Sequence, residues 1–173
     1  MVIPNYSSKF SRAFSLELVK GNWDRATVPL ELHPKAVYCR NRWVDGLAWN
    51  STIAPDYHMK MIKEHGSFDK CKNVLDVTER LSELDLVYSL VNKNRRLMTR
   101  FELSFSDNPR DETGGIYVHF DRYGDPIFAG GGWHRLMIAK ILQIELIPIQ
   151  VGLIHQDFSK KVDLSEWLNL KSD

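Results

Sequence analysis

Apolar residues change period several times along this chain, and each change marks a predicted element. In TVPLELHP (27–34), Val28, Leu30 and Leu32 alternate with other residues, as in a half-buried strand, and Pro34 limits what can follow. YCRNRWVDGLAW (38–49) mixes aromatic and basic residues around a glycine and predicts a turn with a short helix. Pro55 suits the first turn of a helix over 56–64, closed near His65 and Gly66. The strongest helical pattern covers 73–92, where Val74, Leu75, Val77, Leu81, Leu84, Val87, Leu90 and Val91 recur mostly at three- and four-residue steps. That spacing predicts one apolar stripe, with Glu79, Arg80, Glu83 and Lys93 toward solvent. A basic phrase, KNRRLMTR (93–100), and a polar loop, SFSDNPRDETGG (104–115), come next.

The C-terminal third returns to strands. IYVHF (116–120) and PIFA (126–129), joined by DRYGD (121–125), read as a hairpin. GGGWHRLMIAKIL (130–142) breaks the second strand with three glycines and continues with helical spacing at Leu136, Ile138, Ala139 and Leu142. ELIPIQVGLI (145–154) reads as a further strand that Pro148 places at a strand start or a sheet edge. The tail, with Trp167 and 168–170, predicts a short helix packing back. The fold class expected is α+β, a small mixed sheet with packed helices. Its parts are an N-terminal arm (1–20) with one apolar phrase at 14–19, a domain over 21–158 with a helical insert at about 50–100, and a C-terminal tail (159–173).

Composition narrows the partners. The 173 residues are 43% hydrophobic and 26% charged with a net charge of +1, ordinary for a globular domain. A chain that coats nucleic acid without specificity is far more basic. Cys39 and Cys71 form neither a CxxC pair nor zinc-ligand spacing, which predicts ordinary reduced thiols. With no secretory-type leader and no long apolar run, the expectation is a cytoplasmic chain without membrane association.

The chemistry is concentrated at 130–135. A strand that ends in glycines and turns straight into a helix leaves the first helical N–H groups without partners. Glycine lets a ligand approach the backbone, and the helix start carries partial positive charge, so the corner suits a phosphate-like anion. Gly130, Gly131, Gly132 and Trp133 supply the main chain, and His134 and Arg135 add two side-chain donors. The dipole contributes about 0.3–1 kcal/mol at exposed sites. A hydrogen bond to a charged group contributes about 1.5–3 kcal/mol, so the two side chains decide the affinity. The competing reading is a tight strand-to-helix corner, with Arg135 paired to a carboxylate and His134 in the core. Lys93, Arg95, Arg96 and Arg100 are either further phosphate contacts or a solvated helix end. Glu102, Asp111 and Glu112 are candidates for a metal ligand or a general base, or else solvent-exposed loop acids. His119, His155 and the tryptophans Trp23, Trp43 and Trp49 divide in the same way between ligand contact and packing.

At these residues the chain resembles the ParB/sulfiredoxin superfamily. FAGGGWHRLMIAKILQIELIPIQV (128–151) is similar to its second conserved box, a strand, a glycine-rich turn, a His-Arg pair, a helix and an "IPV"-type strand. TVPLELHP resembles its first strand. Gly21-Asn22-Trp23-Asp24 and His155 are similar to the "GxWD" phrase and the terminal "RH" of a group of ParB-like proteins. The resemblance implies a ParB/sulfiredoxin-like sheet, nucleotide phosphates at Gly131, Gly132, His134 and Arg135, and an arginine after the first strand, here Arg40 or Arg42. It also implies His134 and Arg135 as the catalytic pair of an enzyme working with Mg²⁺ and ATP or CTP. Trp133 stands where sulfiredoxin carries its catalytic cysteine, so that activity is not expected. Ala129-Gly130 replace the acidic turn residue of the closer relatives. Two function classes follow: a nucleotide hydrolase, phosphotransferase or nuclease, and a non-catalytic module for nucleotide, nucleic acid or protein.

Overall fold

Six short strands form one mixed sheet in the order β2-β6-β4-β5-β1-β3: β1 (Val2–Pro4), β2 (Glu17–Val19), β3 (Thr27–Pro29), β4 (Ile116–Phe120), β5 (Pro126–Phe128) and β6 (Ile149–His155). The structure is a computed structural model that describes residues 1–4, 16–108 and 112–169. Phe14 of the N-terminal apolar phrase, Asp111 and Leu170 lie outside the described residues. β4 is buried along its whole length, pairing antiparallel with β5 and parallel with β6. β6 begins directly after Pro148 and lies between β2 and β4, so the proline marks a strand start and not an edge. The segment read as an arm supplies β1 and the edge strand β2. β3 is shorter than its alternation suggests. It stops at Pro29 on the other edge of the sheet, where a missing N–H is tolerated, and a 3₁₀ turn takes over at Leu30–Leu32.

The central pairing carries a bulge. The β4–β6 register moves from Val118 opposite Val151 to Phe120 opposite Ile154, one extra residue on β6. The backbone N–H of Leu153 donates to Nδ1 of His119 at 3.0 Å, so an imidazole accepts at the irregularity. A Cβ on Gly152 would run into that imidazole and come within 2.6 Å of the Tyr117 ring, which explains the glycine there.

The chain divides into two compact units. The sheet unit comprises Met1–Leu30, Met98–Trp133 and Pro148–Asp173, and the helical unit comprises Glu31–Leu97 and His134–Ile147. In the sheet unit, α5 (Gln156–Ser159) and α6 (Leu164–Asn169) follow β6, and the predicted tail helix is α6. Trp167 packs edge-on against Phe120 and Phe158, at 4.7 and 5.6 Å between ring centroids.

The helical unit holds α1 (Pro34–Trp43), α2 (Ala54–His65), α3 (Val74–Asn94) and all of α4 (Trp133–Ile141) but its first residue. Pro34 starts α1 earlier than the aromatic-basic pattern suggested, because His33 caps it through Nδ1, which accepts from the N–H of Lys35 at 3.2 Å. Gly66 closes α2 in the left-handed conformation, φ +78°. Asn73 caps α3 by accepting from Leu75 and Asp76. The single stripe expected on α3 is corrected: Val77, Leu81, Leu84 and Val91 are buried, whereas Val74, Leu75, Val87 and Leu90 are exposed.

Candidate functional site

The β4–β5 hairpin delivers the chain to the glycine turn. Ala129 N–H donates to the carbonyl of Tyr117 at 2.8 Å, and Tyr117 N–H to the carbonyl of Gly131 at 3.2 Å. Gly130 and Gly132 are both left-handed, at φ +89° and +69°. They differ in surroundings. Open space lies where a Cβ on Gly130 would stand, but a Cβ on Gly132 would sit 2.8 Å from the Gly115 carbonyl oxygen and from Ile116 Cα. Only a glycine permits that approach. Trp133, the first residue of α4, lies edge-on to Phe128 at 4.6 Å.

The segment under the turn brings two charged residues together. A Cβ on Gly115 would fall 2.8 Å from Oε2 of Glu112, so the carboxylate lies directly behind the glycine contact. Glu112 is 8% exposed; its Oε1 accepts from the backbone N–H of Arg100 at 2.7 Å, and its Oε2 is buried without a hydrogen-bond partner. The Arg100 guanidinium lies 4.1 Å from the Phe105 ring centroid, and its Nε is buried without a hydrogen-bond partner as well. Its Nη2 stands 3.7 Å from where a Cβ on Gly114 would be. Buried polar atoms without partners are uncommon in native folds and mark places where a ligand, water or ion completes the bonding. Arg100 and Glu112, candidates from separate stretches of sequence, are therefore brought together beside the glycine turn.

The other expected site residues sit elsewhere. His134 turns into the helical unit, where it is 8% exposed and its Nε2 lies 2.6 Å from the Tyr38 hydroxyl. Burial, with the charge of Lys35 adding to it, lowers its pKa from 6.5 to about 3. Of the two readings of His134, ligand donor or core residue, its packing follows the second, with the imidazole committed to Tyr38. Arg135 is half-buried on the first turn of α4. Arg40 is exposed on α1, and Arg42 is tied to Asp85, so both belong to the helical unit.

The phrase Gly21-Asn22-Trp23-Asp24 has a structural role. Arg122 forks onto Asp24 with Nε at 2.7 Å and Nη2 at 2.5 Å, and also donates to the Gly21 carbonyl and Asn22 Oδ1. The Arg122 hydrogen bonds hold the Asp24 carboxyl down at about 2. His155 Nε2 lies 2.8 Å from the same Gly21 carbonyl, and Trp23 lies 5.7 and 5.9 Å from the rings of His119 and His155. Burial lowers His119 to about 4.

Two constellations in the helical unit carry no sequence signal, because each draws its members from separate stretches of the chain. Lys35, nearly buried, pairs with Asp69 at 2.5 Å, and His58 Nε2 stands 3.6 Å from the same carboxylate oxygen. Asp69 and Lys70 are both left-handed, at φ +50° and +69°, in a tight reversal closed by Phe68 and Cys71. Burial alone would raise Asp69, but His58 and Lys35 bring it below the usual carboxylate range. The second constellation is Asp85, which accepts from Arg42 and from the indole N–H groups of Trp43 and Trp49. A cavity of about 280 Å³ in the same unit is lined by Trp49, Asn50, Pro55, Thr78, Leu81 and Ser82, and contains no charged group suited to phosphate. Cys39 and Cys71 are free and buried. Among the described residues, no three His, Cys, Asp or Glu side chains are grouped to hold a metal, and no helix is long and apolar enough to cross a membrane.

No protein-family model, curated protein or solved structure matches this chain.

Proposed function

We propose that this chain is a ParB/sulfiredoxin-like domain that binds a phosphate ester, a nucleotide such as ATP or CTP, at the glycine turn before α4. The observation that carries the reading is the contact of Gly132 on Gly115, which sets the left-handed turn against a buried Glu112 oxygen and an Arg100 Nε that both lack partners. The order of hairpin, glycine turn, helix and proline-led strand supports the family resemblance. Main-chain N–H groups of the glycine turn suit phosphate oxygens, and the Arg100 guanidinium neutralises their charge. Magnesium in such sites is held by one or two carboxylates together with substrate phosphates. Glu112 would be the one carboxylate to hold it, and the ion would supply charge neutralisation for the phosphate. Binding without turnover is favoured over hydrolysis by the placement of His134, which is buried with its Nε2 engaged by the Tyr38 hydroxyl.

Thermal melting with ATP, CTP, ADP and pyrophosphate, with and without Mg²⁺, tests the reading. A ligand at a hundred times its Kd stabilises by about 2.7 kcal/mol. Arg100→Ala is expected to abolish the shift while the unliganded melting point stays close to that of the parent chain, and Arg135→Ala to weaken it. A shift that survives Arg100→Ala, or none with any phosphate compound, would sink the proposal. Release of inorganic phosphate separates an enzyme from a binding module.

A further inference from the structure

α3 carries exposed leucines on a face that its own unit leaves bare. Leu75 and Leu86 are 76% and 72% exposed, and Leu90 is 49% exposed. At about 100° per residue, positions 75, 79, 82, 83, 86, 89, 90 and 93 fall within about 60° on either side of Leu86. That face reads Leu75, Glu79, Ser82, Glu83, Leu86, Ser89, Leu90 and Lys93, and all eight residues are exposed. Monomers scatter single apolar residues over the surface, whereas Leu86 and Leu90, one turn apart, form a contiguous exposed pair of the kind that marks a contact surface.

The order of residues on this face identifies the cover. Glu79 stands seven positions before Leu86 and Lys93 seven after it, two helical turns each way. When a second α3 lies antiparallel with a twofold axis at Leu86, each Glu79 meets Lys93 of the other copy and Leu86 meets Leu86. Leu90 comes level with Ser82, whose small side chain allows close approach. A parallel arrangement sets Glu79 beside Glu79 and Lys93 beside Lys93, and like charges disfavour it. A twofold interface requires this self-complementarity, and nothing in the packing of a monomer does.

We propose that the chain forms an antiparallel homodimer through the outer face of α3, centred on Leu86. Light scattering and sedimentation equilibrium of the full chain, from low micromolar to submillimolar concentration, should give twice the 20.1 kDa chain mass at the upper end. Leu86→Glu, at a position already exposed to solvent, is expected to leave the melting curve of the dilute protein intact and to weaken association about 100-fold. Glu79→Lys should weaken it about tenfold, and adding Lys93→Glu should restore it. Leu86→Cys should form a disulfide between copies on mild oxidation, and Leu75→Cys should not. A single-chain mass at every concentration overturns the proposal. So does a dimer indifferent to Leu86→Glu and to the charge exchange.

Discussion

Gly130 and Gly132 share a backbone conformation but meet different neighbours, and the difference has a measurable consequence. Alanine at Gly130 meets open space and bears only the conformational cost of a left-handed residue, about 1–2 kcal/mol. Alanine at Gly132 bears that cost and also drives its Cβ into the Gly115–Ile116 backbone. Urea unfolding should show Gly132→Ala as the more destabilising by at least about 1 kcal/mol, and equal effects would show that the two segments are not in contact. The buried histidines make a second residue-level prediction. Their folded-state pKa values, about 3 for His134 and about 4 for His119, lie below the unfolded value of 6.5. Below pH 6.5 the unfolded chain takes up protons that the native chain refuses. The stability due to neutral burial is therefore complete above pH 6.5 and is lost as pH falls from there toward 4. The slope is at most about 1.4 kcal/mol per pH unit for each histidine. Stability measured by urea unfolding between pH 7 and 4.5 should show that decline, and His134→Gln should flatten part of it. On the proposed nucleotide reading, affinity should therefore stay flat between pH 7 and 4.5 as far as His134 is concerned, and a titration of binding against pH checks it.

At the scale of elements, capping residues and prolines place the helix starts, while single polar side chains tie elements together. Asp85 on α3 gathers Arg42 and Trp43 of α1 and Trp49 of the following 3₁₀ turn, while Trp43 stacks on Tyr88 at 5.0 Å. Asp85→Ala leaves a guanidinium and two indole N–H groups to find water and is expected to cost about 2–3 kcal/mol. Lys160→Ala, which breaks only an exposed pair with Asp157, should cost less than about 1 kcal/mol. Comparable losses in chemical denaturation would show that the Asp85 node adds nothing beyond a surface ion pair. The bounds of α2 were readable because Pro55 and Gly66 act within a few residues of themselves, whereas the start of α1 at Pro34 needed the His33 cap that only the structure shows. The two apolar faces of α3 were not separable from periodicity, because every leucine in a pattern looks alike until the packed side is known. β3 was overextended for a related reason: Leu30 and Leu32 keep the alternation after Pro29 has ended the ladder.

For the whole molecule, sequence by itself determined the α+β class, the β4–β5 hairpin, the glycine break before α4 and a strand around Pro148, whose start after that proline the structure decided. Each depends on local chemistry: a period, a missing N–H or a residue that tolerates positive φ. Tertiary structure alone decided which candidates meet. It set Gly132 against Gly115, brought Arg100 and Glu112 beside that contact, and sent His134 into the core to join Tyr38. It also assembled Lys35 with Asp69 across thirty-four positions and made the supposed arm part of the sheet. The physical reason is that backbone preference acts over a few residues. Whether a charged or polar group serves a site or the interior depends on burial and partners, which distant segments provide.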